Sequence, residues 1–590
     1  MRRKNPRMFL FFLSTMTLLM SLYLLGASPG PTSQKAAKNP TTKAASPVKL
    51  PKGIGIPPEA VDGVKGLIIT YSGGMKSYFE PCGCQADMLG GIPRLATLFE
   101  GYQTAGLKRL SIDAGNIFFE FLKISKTKKV QNELKAKMLA DFFRENHIKI
   151  AGVGPYDLVA GLPFLRKLEK IGKLQLVLSN ARSLKTKKSP FAKHILVKHQ
   201  GTTLGLLALT APSPKLPDKK ETFPKKFWSK RGLEILEPIA AAREQVKILK
   251  KKGAQRIILL STLGLAKVED LLGKVKGIDI VLDALEGIGF AQPKTMGKTL
   301  LLSGPKKGQK IGVLGLYAKN AAWPWAKLQT AGQAKSAIAG MQKQIKGYLR
   351  QAHQMEKQGP AFKPIAKIYY NQAKDLQNKI KALQKNTSSK PSLKAKHNGY
   401  IHFLIPLSKK LPEQAKTLSR IERYQKEVKK ANLALLGKIK KIPTTKDGNS
   451  YVGAQKCKMC HQPAYNFWKK TKHAIAYNTL VKKHKQFDLD CINCHVVGWQ
   501  KPGGLYNIKN PGHLGGVQCE SCHSYGALHM KTTDKKKIVR NVPESTCRGC
   551  HKDEHDPHFS FQKKLKLILG KGHGYKRLQQ LLKAEKKGKK

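Results

Sequence analysis

Four times near its C-terminal end the chain repeats one spacing, C-x-x-C-H: "CKMCH" (Cys457, Cys460, His461), "CINCH" (Cys491, Cys494, His495), "CESCH" (Cys519, Cys522, His523) and "CRGCH" (Cys547, Cys550, His551). Two thiols so spaced can form thioethers to the two vinyl groups of one haem, and the adjacent histidine then reaches the iron as proximal ligand. Structural zinc does not need a histidine after every second cysteine, and neither does a disulfide framework. Four covalently attached haem c groups are therefore expected. A unit of about 110 residues with few large aliphatics would build only a small core by itself, so the macrocycles are expected to supply most of its buried apolar surface.

A six-coordinate haem needs a second axial ligand. The spare histidines of this unit are His473, His484, His513, His529, His555 and His558. His473, on an expected helix after the first motif, is the leading candidate for a distal ligand, followed by His529 and His513. Met459 and Met530 are alternatives, but paired histidines give the lower potentials common in closely stacked haem chains. The stretches "YVGAQKCKMCHQPAYNFWKKTKHAIAYNTL", "CINCHVVGW" and "GVQCESCHSYGALH" resemble the small tetrahaem c-type cytochromes that accept electrons from hydroxylamine oxidoreductase. That resemblance implies covalent haems that are mostly bis-histidine, with one sometimes five-coordinate and open to a small ligand.

The rest of the chain needs more than one core. It has 590 residues, and its 109 Lys+Arg against 37 Asp+Glu leave a formal charge of +72. The excess is spread along every segment and is dominated by lysine, without the aromatic interleaving of a nucleic-acid groove. No nucleic acid is expected; a basic surface suited to an acidic redox partner protein is. The leader "MRRKNPR" precedes an apolar run, Met8 to Ala27, long enough to span a bilayer. The basic leader would stay in the cytoplasm, so a periplasmic location is expected, with the chain held to the membrane by an uncut anchor or released by cleavage.

The expected organisation is a signal anchor at 1–27, a flexible linker at 28–62, an α/β layered-sheet domain at 63–440 with a helical hairpin inserted at about 331–395, a linker at 441–450, a small mainly α multihaem unit at 451–560 and a basic helical tail at 561–590. Runs such as "GLIITYS", "RLSIDAG", "IKIAGVG" and "RIILLST" alternate with amphipathic stretches, which predicts the layered α/β core. The polar, helical-period segment broken at "KQGPAFKP" predicts the hairpin.

The α/β region resembles the calcineurin-like metallophosphoesterases of 5'-nucleotidase type in "GLIITYSGG", "LGGIPRLATLFE", "RLSIDAGN", "IKIAGVGPYDLVAGLPFLRKL", "LVLSNAR" and "VKGIDIVLDA". That family binds two metal ions through Asp, His and Asn at strand ends. Here its positions fall on Ser72, Gly74, Asn116, the triplet Gly154-Pro155-Tyr156, and near Thr262, Ala284 and Glu286. Serine, glycine, alanine and proline cannot replace anionic or imidazole donors, so the resemblance implies a scaffold without its hydrolytic metals. Asp113, Asn116, Asp157 and Asp283 remain as donors for one weak hard cation.

Cys82 and Cys84, in "EPCGC" after the first strand, are the only cysteines outside the four motifs. A structural or idle pair, a redox-active disulfide fed by the haems, a soft-metal site and a packing role are all open for them. The leading expectation for the whole chain is an electron-transfer protein rather than an enzyme. The alternatives are a redox enzyme acting on a small nitrogen or sulfur species, at an open haem or at Cys82/Cys84, and a residual phosphohydrolase.

Overall fold

Alternation at period two in Leu67–Ser72 decides where the main core forms. Leu67, Ile69 and Tyr71 face one way and are buried, while Ile68 faces the helices on the other side. The computed structural model describes residues 66–81, 88–214, 223–285, 292–328, 331–385, 396–436, 441–552, 556 and 559–587. All of them belong to one unit, Val48–Lys590. The apolar run Met8–Ala27, Cys82, Cys84, Glu286, His555 and His558 lie outside the described residues. Among the described residues no helix is long and apolar enough to cross a membrane.

Seven strands form the first sheet, in the spatial order Trp325–Lys327, Asn398–Pro406, Lys310–Tyr317, Leu67–Ser72, Arg109–Asp113, Ile148–Gly152 and Gln175–Val177. Leu67–Ser72 runs parallel to Arg109–Asp113 and antiparallel to Lys310–Tyr317, with Leu67 opposite Leu316. A second sheet has the order Lys294–Met296, Thr299–Ser303, Ile280–Asp283, Arg256–Thr262, Thr202–Thr210 and His194–His199. Between the sheets, Ile69, Tyr71, Ile112 and Ile150 of the first meet Leu204, Leu206, Ile258, Leu260 and Leu282 of the second. Helices Ile92–Thr104, Lys129–Glu145, Leu162–Gly172 and Ala415–Leu436 cover the outer face of the first sheet through residues such as Leu98, Phe142, Leu165 and Tyr424. Pro238–Lys251 and Leu265–Lys274 cover the second through Val246, Leu249, Val268 and Leu271. The result is a four-layer α/β stack, as the run of strand and helix signals implies.

This stacking brings the ends of strands from both sheets to one edge. Gly74 N–H donates to the Gly115 carbonyl at 2.8 Å. A Cβ on Gly73 would stand 2.8 Å from Cβ of Ala284, so the two sheets touch here without room to spare.

The inserted hairpin is present as Ala331–Glu356 and Lys363–Lys385, joined through Gly359, whose φ of 111° only glycine takes easily. Its seam is Ile345, Ala373 and Ile380. The chain then re-enters the first sheet as Asn398–Pro406.

The C-terminal region is made of short helices, among them Gln462–Lys469, Ala476–Lys482, Leu489–His495, Cys519–His523 and Ala527–Thr532. Its apolar cluster is small: Tyr451, Leu480, Leu489, Ile492, Val496, Val497, Trp499, Leu505, Ile508 and Leu514. The segment read as a basic tail is more than one helix. It contains Phe561–Leu565, a glycine-rich turn and then Tyr575–Lys587. The turn packs on Gln462–Lys469, since a Cβ on Gly570 would strike the Phe467 ring.

Candidate haem sites and the strand-end cleft

Each C-x-x-C-H motif lies on or at the end of a helical turn. The His461 N–H donates to the Cys457 carbonyl at 2.9 Å and the His551 N–H to that of Cys547 at 2.8 Å. The first cysteine and the histidine are four residues apart, so one turn places both on the same side. Asp488 caps the turn that carries the second motif, accepting from Asp490 N–H at 2.8 Å. All eight motif cysteines are free thiols, which leaves every sulfur available for a thioether. The Cys457 thiol lies near that of Cys519, and the Cys494 thiol near that of Cys550. The first motif therefore adjoins the third, the second adjoins the fourth, and the third also lies near the fourth.

Three of the four motif histidines face another imidazole. His461 lies 6.3 Å from His529 between ring centroids, His551 lies 6.1 Å from His473, and His523 lies 6.2 Å from His573. Two imidazole nitrogens held at about 2.0 Å on opposite sides of one metal place their ring centroids about 6 Å apart. The spacing suits an iron between each pair. His473 and His529, two of the expected distal ligands, are thus brought to the fourth and first motifs. His473 sits in the turn between Gln462–Lys469 and Ala476–Lys482, not on a helix, because Thr471 Oγ1 donates to the Trp468 carbonyl at 2.7 Å and closes the first helix. His513 is exposed in a short turn, and among the described residues no motif imidazole stacks on it. His573 was missed by sequence reasoning because it stands in a lysine-rich segment beyond the last motif; its setting, "GKGHGY", was the available signal. Among the described residues, no second imidazole stacks against His495.

The hydrogen bonds on the far side of these rings test the fit. Nδ1–H of His495 donates to the Ala476 carbonyl at 2.7 Å, that of His523 to Val539 at 2.6 Å, that of His529 to Asp534 at 2.9 Å and that of His573 to Ile568 at 2.7 Å. His551 Nδ1 is 3.0 Å from the Asp556 carboxylate. A carbonyl can only accept, so Nδ1 carries the proton and Nε2 is left with its lone pair free for a metal. Burial also pushes His473, His495 and His523 below the ordinary imidazole range, toward the neutral form that binds iron. The donor set fits haem.

The buried strand ends of the α/β region are different. Asp113 accepts from Ser72 Oγ at 2.5 Å and Gly115 N–H at 2.8 Å, and burial pushes its carboxyl up to about 7. Asp157 accepts from the N–H groups of Asn116, Ile117, Phe118 and Gly154 at 2.6 to 3.2 Å. Asp283 accepts from Ser261 Oγ at 2.5 Å and Gly264 N–H at 3.3 Å. These carboxylates satisfy loop backbone and serine hydroxyls. Among the described residues no group of three or more His, Cys, Asp or Glu is placed to hold a metal ion.

The second motif meets the α/β stack directly. On helix Lys129–Glu145 and the residue before it, Lys128, Gln131 and Lys135 form one stripe. Lys128 Nζ is 2.9 Å and Lys135 Nζ 2.7 Å from the Asp490 carboxylate. The Gln131 amide donates to Asp488 at 2.6 Å and accepts from Leu489 N–H at 3.0 Å and Asn432 Nδ2 at 2.8 Å. Asn432 Nδ2 also donates to the Phe487 carbonyl at 2.8 Å, and Lys485 pairs with Glu80 at 2.5 Å. Burial alone would raise Asp490, but the Lys135 and Lys128 ammoniums hold its carboxyl well below the usual carboxylate range.

Residues 456–524, which carry the first three motifs, match the family model described as cytochrome c554 and c-prime. A cytochrome c-554 of Nitrosomonas europaea is 40% identical over 135 residues, covering 17% of this chain and 57% of that relative, so the chain spans little more than half of the relative's length. Among solved structures, the chain is similar to a 5'-nucleotidase precursor of Thermus thermophilus, at 14% identity and a TM-score of 0.41, with 66% of this chain and 61% of that one covered. It is also similar to the Thermus thermophilus sulfate thiohydrolase SoxB, at 14% identity and a TM-score of 0.35, with 42% and 53% covered. Over the matched residues the C-terminal region is similar to c-type cytochromes of the c554 kind, carried on the same chain as a layered α/β region.

Proposed function

We propose that this chain is an exported tetrahaem electron carrier, periplasmic and held to the membrane by its N-terminal apolar run, whose α/β region is a scaffold or docking unit that no longer hydrolyses phosphate esters. The observation that carries the reading is the set of three motif histidines that each face a second imidazole at 6.1 to 6.3 Å. Cys457/Cys460, Cys491/Cys494, Cys519/Cys522 and Cys547/Cys550 would hold four haems, with His461, His495, His523 and His551 as proximal ligands. Each haem iron, when bound, takes up and releases one electron. The chain's own part is to orient the imidazoles through their Nδ1–H bonds and to set the attachment sites side by side. The nearness of Cys457 to Cys519, of Cys494 to Cys550 and of Cys522 to Cys547 supports closely spaced haems.

Loss of the hydrolytic metals is supported by the use of Asp113, Asp157 and Asp283 as acceptors for backbone and serine groups. An acidic redox partner fits the +72 charge, and its association should weaken as salt rises. The test is mass spectrometry with a haem assay on the purified protein, followed by electron paramagnetic resonance of the oxidised form. Four haems per chain and at least three low-spin signals are expected. Fewer than four attached haems would overturn the tetrahaem reading.

A second reading, a redox enzyme acting on a small nitrogen or sulfur species, is favoured by one observation. Among the described residues His495 has no facing imidazole, so the second site would leave one axial position for a small ligand. A high-spin signal that shifts with nitrite, hydroxylamine or sulfite would move this reading ahead of the first. The residual phosphohydrolase stands third, and metal-dependent turnover of a nucleotide would revive it.

A further inference from the structure

Resting on the reading that a haem is attached at Cys491 and Cys494, we propose that the α/β region forms the outer wall of that haem and sets its potential, with Lys135 as the charge-compensating residue. The helix bearing this motif, Leu489–His495, begins at the junction. Asp488 and Asp490, its first acidic residues, precede and adjoin Cys491. Three cations, Lys128, Lys135 and Lys485, and three anions, Glu80, Asp488 and Asp490, are gathered there. Of the cations, Lys128 and Lys135 belong to the α/β region, while Lys485 is answered by Glu80 from the α/β side.

Geometry makes this more than a surface contact. Gln131 is 0% exposed, Asn432 1% and Lys135 7%, and the Gln131 amide bonds at both its ends. Lysine is almost never so buried unless paired, and here the pair is the carboxylate next to a haem-bearing cysteine. Reduction adds an electron to the haem, so each uncompensated negative charge nearby disfavours it and each positive charge favours it. No comparable junction involves the other three motifs among the described ion pairs. The effect of the α/β region should therefore be largest at the haem of the second motif.

The experiment is a redox titration of the full-length holoprotein, wild type against Lys135→Met, Asp490→Asn and the double variant. His495→Met serves as the marker that identifies the second haem's transition, since methionine ligation raises a haem potential. Mass spectrometry first counts haems: an absent haem at Cys491/Cys494 fails the underlying reading and not this inference. With the haem in place, Lys135→Met should lower the second potential by the equivalent of about a three- to tenfold shift in its reduced-to-oxidised ratio. Asp490→Asn should raise it, and the double variant should return close to wild type. The fourth potential, whose site adjoins the second, should move less than the second, and the first and third should stay within about twofold by the same measure. An unchanged second potential in Lys135→Met overturns the proposal. So does a double variant that stays as low as Lys135→Met, because lost packing rather than lost charge would then be the cause. If Lys135→Met does not fold, Asp490→Asn alone decides: a potential that does not rise overturns the proposal.

Discussion

His573 lies opposite His523, its ring centroid 6.2 Å away and its plane turned by 89°, with its Nδ1–H given to the Ile568 carbonyl. If this pair brackets the third haem iron, His573→Ala should convert one low-spin haem to high spin. His573→Met should keep it low-spin and raise its potential. Electron paramagnetic resonance of the two variants checks both; unchanged low-spin signals in the alanine variant would remove His573 from the ligand set.

The Asp556 carboxylate stands 3.0 Å from His551 Nδ1 and is itself 3% exposed. A carboxylate behind a ligating histidine makes the ring a stronger donor and favours the oxidised metal. If a haem is held at Cys547 and Cys550, Asp556→Asn should raise its potential by about 30–60 mV, a tenfold shift being 59 mV for one electron. Potentiometry of the fourth transition measures it.

Glu520 ties the first motif to the third. Its buried carboxylate accepts from Val452, Gly453 and Gly526 N–H groups at 2.7 to 3.0 Å. Glu520→Ala leaves three buried donors without acceptors and should cost about 2–4 kcal/mol. Hydrogen exchange at Val452 and Gly453 should speed up first, with Glu520→Gln in between.

Burial raises the Asp113 carboxyl to about 7 from its ordinary 3.8. A raised folded-state value stabilises the protonated form, so its contribution is complete below about pH 4 and is lost as pH rises through 7. The α/β region should therefore lose stability between about pH 4 and 7, by up to about 4 kcal/mol. Asp113→Asn should flatten that slope. Denaturant unfolding followed by the fluorescence of the buried Trp228 and Trp325 measures both.

Manganese or zinc added to the protein should not raise the unfolding temperature of the α/β region, because Asp113, Asp157 and Asp283 are already engaged by Ser72, Ser261 and loop amides. A saturable rise would show a metal site there.

What the sequence by itself determined is local. A C-x-x-C-H motif is complete within one helical turn, so Cys457 to His461 and its three repeats can be read as expected haem sites without a fold. Period-two alternation in Leu67–Ser72 likewise declares a buried strand, and the break at Gly359 declares a hairpin. Which histidine faces which was decided only by the tertiary structure. His473 follows the first motif in the chain yet lies against the fourth motif's His551, and His573 reaches His523 through a glycine-rich turn packed on Phe467. Such pairings depend on chain reversals between distant segments, which leave no periodic trace. The same holds for Lys135 and Asp490: each reads as one more surface charge, and only the docking of two helices makes a buried lysine the partner of a half-buried carboxylate beside the second motif.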